Sequence, residues 1–420
     1  MQRNKTLKIC GLILFVILSM NSFAQHNTTS PFSRFGIGDV ASLGKGRAAA
    51  MGGVGIALST PYSLNSLNPA SCGVLDSMSF IFEAGISGHF SNYKSSSLEH
   101  NTRDMNFDYF AMAFPITNWW RMSMGLNPYS SVGFYMKNST AHTNAAGNLD
   151  YNQQYVFEGQ GGINKAYVSQ SFIPVKNLFL GVNISYMFGQ ITTSKNVSFL
   201  YENGFPVSGM LSTQQDRELT IKDMMFDFGA QYKLPLNEKY ALSFGAIFAP
   251  SKTIDSNLKN KIGNRRDTSS IDVDLPLKFG GGIGLYINDN ITLGFDYTNE
   301  QWSKVNSLEN SKYKNNETYA LGFEIVPNRR SMKSYLGLVS YRMGVHYTDS
   351  YMKIRNNSIK DYGVSFGFGF PLRRSSTYIN LAFDLGKRGS VSNTLIEENY
   401  AKISLSFSMF SKWFYKQKYE

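Results

Sequence analysis

The chain has 420 residues, 42% hydrophobic, 14% aromatic and 17% charged; 31 Phe and 25 Tyr supply far more apolar surface than a disordered polypeptide carries. The apolar residues are dispersed, and runs of about 20 are missing, which excludes a bundle of membrane-spanning helices. Two cysteines, Cys10 and Cys72, exclude a disulfide scaffold and a structural zinc cage, and the formal charge of +11 favours anionic surroundings.

At the N-terminus, Arg3, Lys5 and Lys8 precede the apolar run Ile9 to Met20, and Ser22-Phe23-Ala24 follows with small residues. This order predicts a secretory signal peptide over 1–24, because a core of 12 residues is too short to span a bilayer. Its removal takes away three cations, lowers the charge from +11 to +8 and leaves Cys72 as the mature chain's thiol. An exported chain of this charge meets lipid phosphates; nucleic acid is not expected as a partner.

Residues 25–76 are rich in Gly, Ala and Ser, with a short helix expected near 40–51 and no barrel strand. From 77 to 410 the chain alternates with period two. Met78, Phe80, Phe82, Ala84 and Ile86 face one way, and Ser79, Ile81, Glu83, Gly85 and Ser87 the other. Fourteen strands are expected, at 78–91, 105–114, 119–130, 163–173, 178–191, 221–234, 239–249, 274–287, 290–299, 318–326, 335–348, 361–370, 377–386 and 400–410.

The connections alternate in length. Tight turns fall at 115–118, 174–177, 235–238, 288–289, 327–334 and 371–376, five of the six opening with proline. Long polar segments fall at 92–104, 131–162, 192–220, 250–273, 300–317, 349–360 and 387–399. This two-sided pattern predicts an all-β fold: a 14-stranded antiparallel transmembrane β-barrel with short periplasmic turns and long external loops, in a bacterial outer membrane. Trp119, Trp120, Tyr129, Tyr240, Tyr297, Trp302, Tyr347 and Trp413 are expected in interfacial aromatic girdles.

Ahead of the first strand, Gly46-Arg47-Ala48, a run of small residues and then Asn68-Pro69-Ala70 give the chain its resemblance to the FadL family of outer-membrane transporters for hydrophobic compounds. The resemblance implies a fourteen-stranded barrel closed by an N-terminal hatch (25–76) that contains the Asn68-Pro69-Ala70 element, with Gly46 and Arg47 in the same motif. Small residues suit a segment packed against barrel walls, so Phe32, Phe35 and Met51, with Ile37, Ile56 and Leu58, are expected to face a greasy cavity. The chain departs from that family by continuing past its last strand into a basic aromatic tail, 411–420.

Glu83, Arg121, Asp227, Lys278, Asp296, Glu324, Arg342, His346 and Asp384 fall on the inferred inner face. Cross-wall pairing spares each the cost of an isolated buried charge; the sharper reading sets Arg121 or Arg342 against a ligand carboxylate. Lys176, Lys239, Arg329, Arg330, Lys333, Arg373, Arg374, Lys412, Lys416 and Lys418 make the periplasmic face basic, for contact with lipid phosphate or an acidic protein partner. The five histidines are scattered and neither HExxH nor GxSxG occurs, so no catalytic residue, metal site or cofactor is expected. The function expected is a channel for passive uptake of hydrophobic or amphipathic small molecules. Two alternatives are a non-transporting barrel subunit of an outer-membrane protein assembly or export complex, and a sealed barrel acting through its loops.

Overall fold

The computed structural model describes residues 29–412 except 42–43, 144–148, 289, 307–312, 330, 332–333, 355–356, 373–376 and 393–395. The expected signal peptide, Trp413 and most of the tail lie outside the described residues, as do Arg330, Lys333, Arg373 and Arg374.

One sheet contains every strand. The two-residue β1 (Asp39–Val40) lies in the N-terminal segment, and the barrel begins with β2 (Ser79–Lys94), β3 (Glu99–Pro115), β4 (Trp120–Thr143) and β5 (Leu149–Val175). It continues through β6 (Leu178–Leu200), β7 (Thr213–Pro235) and β8 (Tyr240–Ala249). A hairpin of β9 (Lys252–Ile262) and β10 (Arg265–Leu275) follows, and then β11 (Lys278–Ile287), β12 (Ile291–Glu300) and β13 (Asn316–Ile325). The last four are β14 (Ser340–Ile354), β15 (Asn357–Pro371), β16 (Tyr378–Ser390) and β17 (Ile396–Lys412). Strands β2–β8 and β11–β17 are the fourteen staves, and β17 closes on β2 antiparallel from Lys412↔Ser79 to Glu397↔Lys94.

All fourteen expected strands are present, and the tight turns fall where proline and left-handed asparagine permit them: β5 and β6 are joined by Lys176-Asn177 alone, with Asn177 at φ 67. The expected long loops, however, are largely strand. The span 131–162 is the outer half of the β4–β5 hairpin, 192–220 is mostly β6 and β7, and 250–273 is mostly the β9–β10 hairpin, which continues β8 and β11. Beyond the bilayer the outward face of the pleat needs no apolar side chains, so the hydropathy alternation stops while the main-chain ladder runs on. The wall is lopsided: β4 to β7 have 24, 27, 23 and 23 residues, and β8 and β11 are carried outward by the β9–β10 hairpin, against ten in each of β12 and β13, and crossing a bilayer takes about 9–11.

Outward positions are apolar and exposed, as at Leu180, Ile184, Ile283, Phe295, Leu321, Met343, Val345 and Val364, while the intervening Asn183, Ser185, Asp296, His346 and Ser365 are buried. Trp119, Trp120 and Phe172 stack at the periplasmic rim, and Tyr297, Tyr319 and Tyr347 form a row nearer the external rim. Trp302 and Tyr129, expected in the girdles, turn inward instead: Trp302 is 3% exposed and stacks on Tyr351 at 4.4 Å, and Tyr129 packs on the same core. An indole whose N–H donates to Glu300 at 3.0 Å satisfies its polar group inside the lumen.

The described part of the segment 29–78 threads the lumen. Where a helix was expected near 40–51, the described residues form the end of β1 and one 3₁₀ turn, Ala48–Met51, capped by left-handed Gly52. Sixteen buried side chains, Phe32, Ile37 and Trp302 among them, fill the outward end of the lumen as one apolar core.

Candidate functional site

The barrel wall is interrupted at the β3–β4 hairpin. β3 and β4 pair only over Phe110↔Leu126 to Pro115↔Arg121, although both strands run on outward. Just past the last pair lies Pro128, which has no N–H to offer a ladder, and the register of β4 against β5 shifts between Pro128 and Ser130. The outer half of β4 therefore parts from β3.

The N-terminal segment occupies the parting. Thr29 donates from its N and Oγ1 to the Asp104 carboxylate of β3 at 2.9 and 2.8 Å. On the β4 side, Ser30 N donates to the Gly133 carbonyl at 2.8 Å, Gly133 N donates to Ser33 Oγ at 3.0 Å, and Ala41 N to the Tyr129 carbonyl at 2.9 Å. β1 pairs Asp39↔Ser131 and Val40↔Ser130. Between these contacts Gly38 takes φ +92, and a Cβ there would lie 2.5 Å from the Ser131 carbonyl oxygen, so the close approach requires glycine. Arg388 of β16 anchors the segment from beyond β2 and β17, with Nη2 2.7 Å from Asp39 and its guanidinium 4.7 Å above the Phe32 ring.

Behind the parting lies a cavity of about 160 Å³ bounded by Val40, Ala41, Asn127, Pro128 and Tyr129 on one side and by Met225, Phe228, Phe248, Pro250 and Pro276 on the other. Its lining is amphipathic. Ion pairs Lys165–Asp227 (3.2 Å) and Lys278–Glu300 (2.9 Å) share the wall with these apolar groups. Lys45 reaches in from the N-terminal segment; burial and then the charge of Lys402 pull its ammonium below the usual range, against the opposing pull of Asp108 at 3.5 Å.

A second interruption faces the first across this cavity. β7 pairs with β8 from Phe228↔Phe248 downward and with β9 from Ile221↔Ser256 upward, leaving Lys222 to Asp227 without partners on that side. Pro250 and Pro276 sit where the β8–β9 and β11–β10 ribbon bends away. Lys252 bridges the interval, with Nζ 2.6 Å from Asp223.

Below the cavity the segment is sewn to the wall. Asn68, fully buried, caps its 3₁₀ turn by accepting from Ala70 N at 3.0 Å and donates from Nδ2 to the carbonyls of Ile56, Ala230 and Ala246. Asp296 accepts from Gly55 N and Ile56 N at 2.6 and 2.8 Å, and Glu83 accepts from Leu64 N, Tyr109 and Ser408. At the periplasmic end Arg47 holds Glu324 bidentately at 2.8 and 2.9 Å, and Arg342 donates to the same carboxylate at 2.6 Å and to Asn380 at 2.7 Å. Cys72 is buried beneath these contacts, and burial pushes its thiol up, which makes it inert.

The residues singled out in the sequence are thus distributed rather than gathered. Phe32 and Phe35 belong to the outer apolar core and Met51 to a smaller one at Val54, Leu58 and Ala320. Arg121 donates to the Leu75 carbonyl at 3.0 Å, Arg342 sits at the periplasmic mouth, and Gly46 packs under the Tyr109 hydroxyl. Asp104, Pro128, Asp223 and Lys252 were not anticipated; Pro128 inside an otherwise regular strand was the available signal.

Among solved structures the chain is similar to the Pseudomonas putida toluene transporter TodX (16% identity over 90% of this chain and 99% of that one, TM-score 0.53). It is similar also to a Pseudomonas aeruginosa FadL homologue (14%, 90% and 99%, TM-score 0.53) and to the CymD monoaromatic hydrocarbon channel (11%, 91% and 100%, TM-score 0.53). The fold is therefore of the FadL type, and the closed barrel with its apolar belt resides in the bacterial outer membrane. No functionally curated protein matches the chain. At these identities the fold is what is shared; at the level of sequence the match extends along residues 6–420 to a different family, and the chain belongs to the BamG family.

Proposed function

We propose that this barrel is a conduit for small hydrophobic or amphipathic molecules, that the segment from Thr29 to Ala70 acts as its hatch, and that the β3–β4 parting is the route between lumen and membrane. The observation that carries this reading is the amphipathic cavity of about 160 Å³ lying directly behind a parting in the wall that the N-terminal segment fills. A volume near 150 Å³ is enough for a single aromatic ring, and two proteins of the same fold are named as a toluene transporter and a monoaromatic hydrocarbon channel. The outward end is filled by the apolar core, so a molecule reaches the membrane sideways.

The test is a reversible staple. Val40 and Ser130 are register partners, so a V40C/S130C disulfide locks β1 onto β4. Toluene flux into vesicles containing the oxidised protein should fall to that of empty vesicles and return on reduction; flux unaffected by oxidation would sink the reading.

One observation favours a second reading, a non-transporting subunit of an outer-membrane assembly or export complex. The outward lumen is packed and the segment is bonded to wall strands β3, β7, β8, β12 and β13, while β4 to β7 raise a broad sheet outside the membrane. Under that reading the staple changes nothing, and mild-detergent extraction yields a protein partner instead of a bound small molecule.

A further inference from the structure

The periplasmic mouth carries a feature that the conduit reading leaves unused. A cavity of about 350 Å³ opens there between the segment 59–63 and the ends of six strands, at the lower end of the size range of small-molecule sites. Among the described residues four cations line it, Arg47, Lys233, Arg329 and Arg342, against a single carboxylate, Glu324. Glu324 is shared by Arg47 and Arg342, and Arg329 Nη2 stands 3.8 Å from it. Lys233 lies 4.7 Å over the Tyr286 ring. The remaining lining is rich in hydroxyl and amide donors, Thr60, Tyr62, Ser63, Tyr378 and Asn380 among them.

Among the described residues Arg47, Lys233 and Arg342 outnumber Glu324 by two charges even with Arg329 left out, and such an excess in a walled cavity is costly unless an anion offsets it. Guanidinia are the groups oxyanions pair with best, and those of Arg47 and Arg342 already hold one carboxylate here, that of Glu324. We infer that the periplasmic mouth is a binding site for an oxyanion head group, a carboxylate or a phosphate, held by Lys233, Arg329 and the outward sides of Arg47 and Arg342. The inference is independent of the conduit reading, because a barrel that transports nothing presents the same mouth to the periplasm. Glu324 is the resident competitor: an incoming oxyanion shares Arg47 with it and so slackens the tie between the N-terminal segment and β13.

Calorimetric titration of the full-length protein in detergent with sodium octanoate, inorganic phosphate and 1-octanol tests this. Octanoate should bind saturably and more tightly than 1-octanol; phosphate binding as tightly as octanoate assigns the site to free oxyanion, and octanoate exceeding both assigns it to an amphipathic acid. Lys233→Gln and Arg329→Gln, at the rim, should each weaken binding about tenfold, the value of one charge-assisted contact, with the melting profile unchanged. Glu324→Gln should tighten it by removing the competitor, and if that variant does not fold the two rim variants still decide. Octanoate and phosphate binding no tighter than 1-octanol, or affinities unmoved in both rim variants, would overturn the site.

Discussion

Two seams of the same barrel behave oppositely. β2 and β17 are joined by nothing but hydrogen bonds, yet pair over sixteen consecutive residues. β3 and β4 are successive strands of one tight hairpin, yet pair over six. Chain connectivity therefore does not decide where this wall is strong. What differs is local: β17 offers an uninterrupted row of donors and acceptors, whereas β4 has Pro128 and a register shift two residues past its last pair with β3. Hydrocarbon cannot satisfy the backbone that such a break exposes, and the chain supplies its own N-terminal segment as the missing partner.

The contrast can be broken or sharpened in order of expected effect. Deleting 28–70 should raise the conductance of the reconstituted barrel well above that of the parent, since it removes both the filler of the seam and the packing below it; unchanged conductance in planar bilayers would remove the hatch. Next, a cysteine pair at register partners Met112 and Met124 should cross-link spontaneously, whereas Asn106→Cys with Ser130→Cys, the pair a continued ladder would bring together, should not, as read by gel mobility. A zipped seam in the second pair would contradict the parting. Phe32→Ala should destabilise the filled seam by about 3–5 kcal/mol, the usual penalty of emptying a buried aromatic site, read as an earlier heat-induced shift on a semi-native gel. Gly344→Ala places a Cβ 2.2 Å from Gly52 N and the Met51 carbonyl carbon, both backbone atoms, and should cost about 1–3 kcal/mol by overpacking, detected in the same assay. The smallest effect is at the second interruption. Lys252→Ala removes a partly exposed ion pair with Asp223 and should change stability by no more than about 1 kcal/mol, while making Met225→Cys more reactive to a membrane-permeant maleimide.

The staves were legible because alternation in the bilayer is a solvent rule that each strand obeys alone: Met343, Val345 and Tyr347 must be greasy whatever their neighbours are. Outside the bilayer that rule lapses, so the outer halves of β4 to β7 read as loops. The inward turn of Trp302 depends on Tyr351 and Glu300 being close by, and a girdle residue looks the same in sequence. The ties that build the site join residues far apart, Arg47 to Glu324 across 277 positions and Thr29 to Asp104 across 75, and one sequence carries no record of such meetings. Asn68 was legible as a motif; its bonds to Ala230 and Ala246 were not.

The unequal height of the wall gives the molecule a front and a back within the plane of the membrane. A neighbour arriving beside β12 and β13 meets, among the described strands, a lipid-deep rim, whereas one arriving beside β4 to β7 meets, above the same lipids, a parapet of strand roughly as deep again. Rotation about the membrane normal is therefore not neutral for this barrel: whatever stands next to it can be seated by compass bearing alone, before any side chain is read.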